Sequence, residues 1–241
     1  KMGAEEVAAE NGRVFFSGGA DILCRANICS RFAERIMIYM GSFKAETFDE
    51  LFDNVKSLPW ENFIGKDDAF PVKGWSINSA LHSVPGCQSI IKKAVVERLK
   101  SVYGISWFKE SGTAYRISFS IMKNTASLYI DTSGEGLHKR GYRPRSNAAP
   151  IKETLAAAMA YLTGIFDDSY VYDPFCGSGT ILIESAMIAA NISPGAKRRF
   201  AAESFSQIDL SVWRAERERA RDSIKKDINF MAFGSDIDLS L

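Results

Sequence analysis

The stretch VYDPFCGSGTILIESAMIAANISPG, Val171 to Gly195, limits the fold more than any other part of the chain. An apolar and aromatic run, YVYD, meets Asp173-Pro174. The small residues Gly177, Ser178 and Gly179 follow, and Thr180 opens an apolar run of helical length. Strand, glycine bend and helix in that order open a parallel, doubly wound sheet, and such sheets bind ligands beyond the carboxyl ends of their strands. Glycines remove Cβ atoms where the backbone must turn sharply or approach a ligand. The helix start adds N–H groups that lack intrahelical partners. A second strand-like run, INFMAFGSDID, is closed by acidic residues, Asp236 among them. A carboxylate at that strand end suits ribose hydroxyls.

The bend excludes some ligands. It has no G-x-x-x-x-G-K-[ST] lysine, it is shorter than G-x-G-x-x-G, and it opens on the acidic Asp173, a poor neighbour for a pyrophosphate. A ligand with a cationic amino-acid end and a ribose fits better, and S-adenosylmethionine has both. The competing reading is a tight turn with no ligand; two acidic strand ends in succession argue against it.

Composition bounds the rest. At 241 residues the chain has room for about two domains. Hydrophobic residues make up 46% and charged residues 24%, as in globular proteins. The longest apolar run, Ile181 to Ile192, is broken by Glu184, Ser185 and Asn191 and is too short to cross a bilayer. Cys24, Cys29, Cys87 and Cys176 form no C-x-x-C pair, and His82 and His138 lie far from most of them. No metal site is expected, and buried thiols in a reducing cytoplasm are the simpler reading. The net charge of +1 hides an uneven spread: residues 92–145 hold 11 basic and 4 acidic side chains, between flanks that are each net −3. Such a band fits a polyanion partner or, equally, a solvated surface.

The front of the chain reads as α+β. GRVFFSG is a strand, Ala20 to Ser30 a helix, and RIMIYMGSF a strand ending at Gly41. Phe48, Leu51, Phe52 and Val55 form a helical stripe behind a Thr47–Glu50 capping box, with Pro59 as the stop. FPVKGWSIN is a short strand. Ile90, Ile91, Ala94, Val95 and Leu99 mark an amphipathic helix over Gln88–Lys100, with Gly104 beyond its end. Tyr115–Met122 and Ala126–Asp131 read as a hairpin. Gly134 to Pro150, rich in Gly, Pro, Lys and Arg, reads as a linker or binding loop. The rear alternates helix and strand: IKETLAAAMAYLTG, YVYD, the helix after the bend, the charged SVWRAERERARDSIKK and INFMAFG.

DPFCGSGTILIESAMIAANISPG with GSDID resembles the S-adenosylmethionine-dependent RNA methyltransferases that carry an N-terminal THUMP domain. Their best-known bacterial members methylate N2 of a guanine in 23S ribosomal RNA. LYIDTSGEGLHKRGYR followed by APIKETLAAAM is similar to the signature joining the two halves of those proteins. NGRVFFSG, ANICSRFAERIMIYMGSF and LFDNVKSLPWENF match their front half. The fold implied is an α+β ferredoxin-like and THUMP region followed by an incomplete α/β Rossmann-like methyltransferase domain. Its expected divisions are 1–42 (ferredoxin-like), 43–133 (THUMP), 134–150 (basic linker) and 151–241 (partial Rossmann-like).

The resemblance implies a donor site lined by Asp173, Phe175, Gly177 and Gly179, with Asp236 on the ribose and Asp238 a weaker candidate. Thr154 and Glu153 would lie near the methionine end of the donor. Lys92, Lys93, Lys139, Arg140, Arg143 and Arg145 would contact RNA, for which a solvated linker is the alternative at the last four. Trp75, Trp107 and Phe108 would stack bases unless they are core. His138 would serve loop hydrogen bonding, and Cys176 packing. The family's later Asn/Asp-Pro-Pro-aromatic motif, which holds the target amine, does not occur in these 241 residues, so they are expected to be a fragment inactive alone. The alternatives are a transfer-RNA guanine methyltransferase, an N6-adenine DNA methylase and a non-catalytic RNA-binding module.

Overall fold

A computed structural model describes residues 2–10, 12–142 and 151–237. The chain divides into two units that interleave in sequence: residues 37–134 with 201–208, and residues 2–36 with 135–200 and 209–237. Among the described residues no helix is long and apolar enough to cross a membrane.

The first unit is built on a four-stranded sheet. Its strands are β3 (Met37–Lys44), β4 (Val72–Ile77), β5 (Ile117–Met122) and β6 (Thr125–Asp131), in the order β3-β6-β5-β4. β5 and β6 form the expected hairpin. Lys123 and Asn124 turn it with φ of 51° and 62°, the left-handed pair that a two-residue turn requires. β4 joins β5 in parallel, so its connection must cross over, and α3 (Val84–Tyr103) supplies that crossover. α3 starts at a Ser83 cap with Pro85 in its first turn and stops at Gly104 in left-handed conformation. α2 (Phe48–Ser57) begins with the capping box read from Thr47 and Glu50.

One sheet face takes the helices. Ile117, Phe119, Ile121, Leu128 and Ile130 are buried there with Leu51, Val55, Ile91, Val95 and Leu99. Gly74 is needed for close approach, because a Cβ there would stand 2.2 Å from the Phe119 carbonyl oxygen. Trp60 is fully buried, and its Nε1–H donates to the Val55 carbonyl at 2.8 Å. Residues 201–208 complete the unit. Phe205 stacks on Tyr115 at 4.2 Å between centroids, and the Ala202 N–H donates to the Thr132 carbonyl at 3.0 Å.

The second unit starts with an exposed antiparallel hairpin of β1 (Glu5–Glu10) and β2 (Arg13–Ser17). β2 was legible and β1 was not: EEVAAE has no strand pattern and is extended only because it pairs with β2. α1 (Ala20–Cys29) packs on α6 (Leu210–Asp222). The Arg25 guanidinium binds both carboxylate oxygens of Glu216, at 2.6 and 2.7 Å, and the hydrogen bonds to Glu216 hold the Arg25 pKa above its usual value. α4 (Glu153–Leu162) packs on α5 (Thr180–Ala189). β7 (Tyr170–Asp173) and β8 (Met231–Gly234) pair in parallel, the arrangement that strand–helix–helix–strand order implied. β8 is shorter than the INFMAFGSDID run suggested.

Two expectations need correction. β3 does not end at Gly41; it runs through a bulge between Tyr39 and Gly41 and continues to Lys44, because β6 offers partners along that whole length. The described start of the expected linker is not a solvated tether. Leu137 is buried, its N–H donates to the Glu34 carbonyl at 2.8 Å, and Arg198 donates to the carbonyls of Glu135 and Gly136.

Candidate functional site

The glycine bend joins β7 to α5 next to the end of β8. Asp173 lies opposite Gly234 in the parallel register. Ser235 ties the two strand ends together: its N–H donates to the Asp173 carbonyl at 3.0 Å, and its carbonyl accepts the Cys176 N–H at 3.0 Å. Gly177 (φ 52°) and Gly179 (φ 73°) then turn the chain in left-handed conformations that a side chain would strain.

Both carboxylates hold the bend from the same end of the sheet. Asp173 Oδ1 accepts the Phe175 N–H at 3.0 Å, an Asx turn. Asp236 Oδ2 accepts the Gly177 N–H at 2.8 Å. Asp173, Phe175, Gly177, Gly179 and Asp236 therefore fall in one place, though they come from two strands far apart in sequence.

The bend is open where a ligand would need it to be. Gly179 caps α5 without a side-chain hydrogen bond, and a Cβ there would meet nothing within 4 Å. The first turn of α5 thus keeps the uncapped N–H groups of a helix start beside free space. Phe175 is 87% exposed at the rim. Gly234 is the opposite case: a Cβ there would lie 2.7 Å from Cys176 Sγ and from Leu182 Cδ1, so bare backbone lets the bend close over β8. Cys176 packs at that contact. The donor set, two carboxylates and helix N–H groups around a cleared backbone, suits a ribose and a cationic amino-acid group. Among the described residues no cluster of His, Cys, Asp and Glu could hold a metal ion.

Thr154 and Glu153 are buried in the first turn of α4, which packs on the helix that follows the bend. His138 Nδ1 lies 2.8 Å from Oε1 of Glu34, a residue of the segment between α1 and β3. Lys93 and Lys139 are exposed, Lys139 paired with Glu135 at 2.5 Å. Lys92 is half-buried: it donates to Glu110 at 2.7 Å and lies 3.6 Å above the Phe70 ring. Phe108 is core, edge-on to Phe70, whereas Trp75 and Trp107 are exposed. Arg143, Arg145 and Asp238 lie outside the described residues.

Arg140, expected to contact RNA, is held inside the second unit as a strut. It is 5% exposed. Its guanidinium donates to the carbonyls of Leu137 and Arg31, both at 2.5 Å, and to Glu184 Oε1 at 3.3 Å. Tyr142 donates to the same Glu184 oxygen at 2.8 Å. Glu184 is fully buried on α5, one turn beyond Thr180. Sequence reading passed over it, although one carboxylate inside an otherwise apolar helix was the available signal. Burial lowers the pKa of nearby Arg31, with Glu184 acting against that fall.

A parallel strand pair with acidic ends, a glycine bend and an open helix start defines the donor end of a Rossmann-like methyltransferase domain. The family described as "RMKL-like, methyltransferase domain" matches residues 140–241, the THUMP domain matches 45–131, and the RlmL ferredoxin-like domain matches 1–37. Segment by segment, the chain is similar to a THUMP-bearing methyltransferase. It is 47% identical over 235 residues to YpsC of Bacillus subtilis (strain 168), which bears the provisional name of an RNA methyltransferase; the match takes in 97% of this chain and 61% of YpsC. A solved structure from Listeria monocytogenes str. 4b F2365, provisionally named an N6-adenine-specific DNA methylase, is 46% identical. It superposes with a TM-score of 0.93 over 100% of this chain and 63% of its own. SMU.472, provisionally named a methyltransferase and solved in complex with SAH, is 40% identical with a TM-score of 0.93 over 99% of this chain and 63% of its own. The chain thus spans about three fifths of the length of the relatives it matches.

Proposed function

We propose that this chain supplies the methyl-donor site and an RNA grip of an S-adenosylmethionine-dependent RNA methyltransferase, and that the target is the exocyclic N2 of a guanine in 23S ribosomal RNA. The observation that carries the reading is the placement of Asp173 and Asp236 on either side of one glycine bend, at the ends of two adjacent parallel strands. Asp236 is assigned to the ribose. Asp173, Gly177, Gly179 and the start of α5 would hold the rest of the donor, Phe175 its rim, and Thr154 its methionine end. The donor supplies an activated methyl on a sulfonium.

An exocyclic amine is a weak nucleophile, because its lone pair is delocalised into the ring. The protein's contribution is therefore positioning and electrostatics, and the base must leave its stack. The acceptors expected to orient that amine belong to the Asn/Asp-Pro-Pro-aromatic motif, which these residues do not contain. The 241 residues are accordingly expected to bind donor without turnover.

The name of the Listeria relative favours a second reading, adenine N6 methylation of DNA. The THUMP region speaks for RNA. Calorimetry with S-adenosylhomocysteine tests the donor site. Asp236→Ala should weaken binding by about tenfold or more, the worth of a hydrogen bond to a charged group; unchanged affinity would refute the assignment. Methyl transfer by the longer protein to under-modified ribosomal RNA, and not to adenine-containing duplex DNA, decides between the targets.

A further inference from the structure

We infer that the helix-free face of the β3-β6-β5-β4 sheet is a stacking platform for single-stranded RNA. The inference deepens the reading of this chain as RNA-directed by naming the surface and the form of RNA. Strand register fixes which residues share that face. One cross-strand row is Tyr39, Tyr129, Ser118 and Lys73; the next is Ser42, Ser127, Ser120 and Trp75; the third is Lys44, Thr125, Met122 and Ile77.

Three features of these rows point to nucleic acid. Large flat side chains lie open on a sheet: Tyr39 and Trp75 are each 47% exposed, and Tyr39 lies 5.8 Å from Tyr129 between ring centroids. Hydroxyls occupy the ground between them. Ser127 and Ser120 are buried in the middle row, with Ser127 Oγ 3.1 Å from Ser42 Oγ; the exposed Ser42 and the half-buried Ser118 can meet base edges and 2′-hydroxyls. The charge on the rows is cationic, from the exposed Lys44 and Lys73. The neighbouring carboxylate, Asp131, is buried and turned to the N–H groups of its own Ser133 and Gly134.

Ile77 and Met122 lie at one end, and the middle row is three serines and a tryptophan. β3 and β4 stand about 14 Å apart across three strand spacings. Four-stranded sheets with exposed aromatics take two or three bases over such a span.

The test uses the full chain, a 12-nucleotide oligouridine and a 12-base-pair RNA duplex, read by fluorescence anisotropy. Tyr39→Leu and Trp75→Leu keep apolar bulk and remove the ring face. Each should weaken oligouridine binding by about tenfold and leave duplex binding and the circular dichroism spectrum unchanged. Lys73→Gln should lower the slope of log K against log salt by about 0.7, the worth of one phosphate contact to a single strand. It serves as the second arm should an aromatic variant fold poorly. Wild-type affinity for oligouridine in all three variants would overturn the inference. So would a dimer in sedimentation that Tyr39→Leu or Trp75→Leu dissociates, because the face would then hold a second copy. S-adenosylhomocysteine binding is measured separately, so failure of the donor site and failure of the platform are distinguishable.

Discussion

The two sheets differ in how far they are enclosed within these 241 residues. The four-stranded sheet has one face sealed by α2 and α3, and Ile117, Phe119, Ile121, Leu128 and Ile130 are all but inaccessible there. The β7–β8 pair has α5 on one face only. On the other, Tyr170, Tyr172, Met231 and Phe233 are between 44% and 68% exposed, with Tyr170 stacked on Phe233 at 5.1 Å. Stability in the first sheet comes from apolar area removed from water. The glycine bend of the second is held mainly by hydrogen bonds: Ser235 with Asp173 and Cys176, Asp236 with Gly177, and Asp173 with Phe175. The comparison teaches that a glycine bend between two strand ends can be held locally by hydrogen bonds to its backbone while one face of its strands stays exposed in these residues.

Three measurements would break or sharpen that contrast. The largest effect is expected from Phe119→Ala, which should cost about 3–5 kcal/mol in urea unfolding followed by circular dichroism. Phe233→Ala should cost under about 1 kcal/mol, because that ring is already half in water. Equal costs would show that the two sheets are not built differently.

Next comes Glu184→Ala. It leaves Arg140 buried without its carboxylate, and such breaks cost about 3 kcal/mol or more. Leucine at the same position leaves Arg140 equally unpaired, so packing volume alone should not restore stability. If leucine did restore it, the ion pair would not be what holds α5 to the Leu137–Tyr142 segment.

The smallest effect is a pH dependence. Arg98 pairs with Glu61 and depresses the Glu61 pKa, chiefly through their hydrogen bond. A carboxylate whose folded pKa is lowered adds stability above its unfolded pKa and loses it as pH falls through the folded value. Both side chains are partly exposed, so the pair is worth about 0.2–1 kcal/mol. Arg98→Gln should flatten the acid side of the stability–pH profile by that amount. A profile identical to wild type would remove this pair as a contributor.

Legibility in the sequence followed the range of the interactions concerned. The capping box at Thr47 and the glycine stop at Gly104 are set by neighbours within four residues, and the chain states them openly. β1 is not legible, because only pairing with β2 makes EEVAAE extended. The bulge in β3 is set by the length of β6. Residues 201–208 read as part of the methyltransferase half, yet they fold with Tyr115 and Thr132, and stacking on Tyr115 leaves no trace in the local pattern of Phe205.

The sequence by itself determined the left-handed glycines of the bend and the helix that follows, choices that consecutive residues make with their own backbone energetics, whereas Ser235 and Asp236 reach the bend only through the fold. Only the tertiary structure decided which charges face outward. Arg140 and Lys139 are adjacent and chemically alike in the sequence, yet one is enclosed with Glu184, 44 residues away, and the other stands in solvent beside Glu135. Burial of a cation depends on whether a distant carboxylate arrives to compensate its lost hydration, and no local pattern records that arrival.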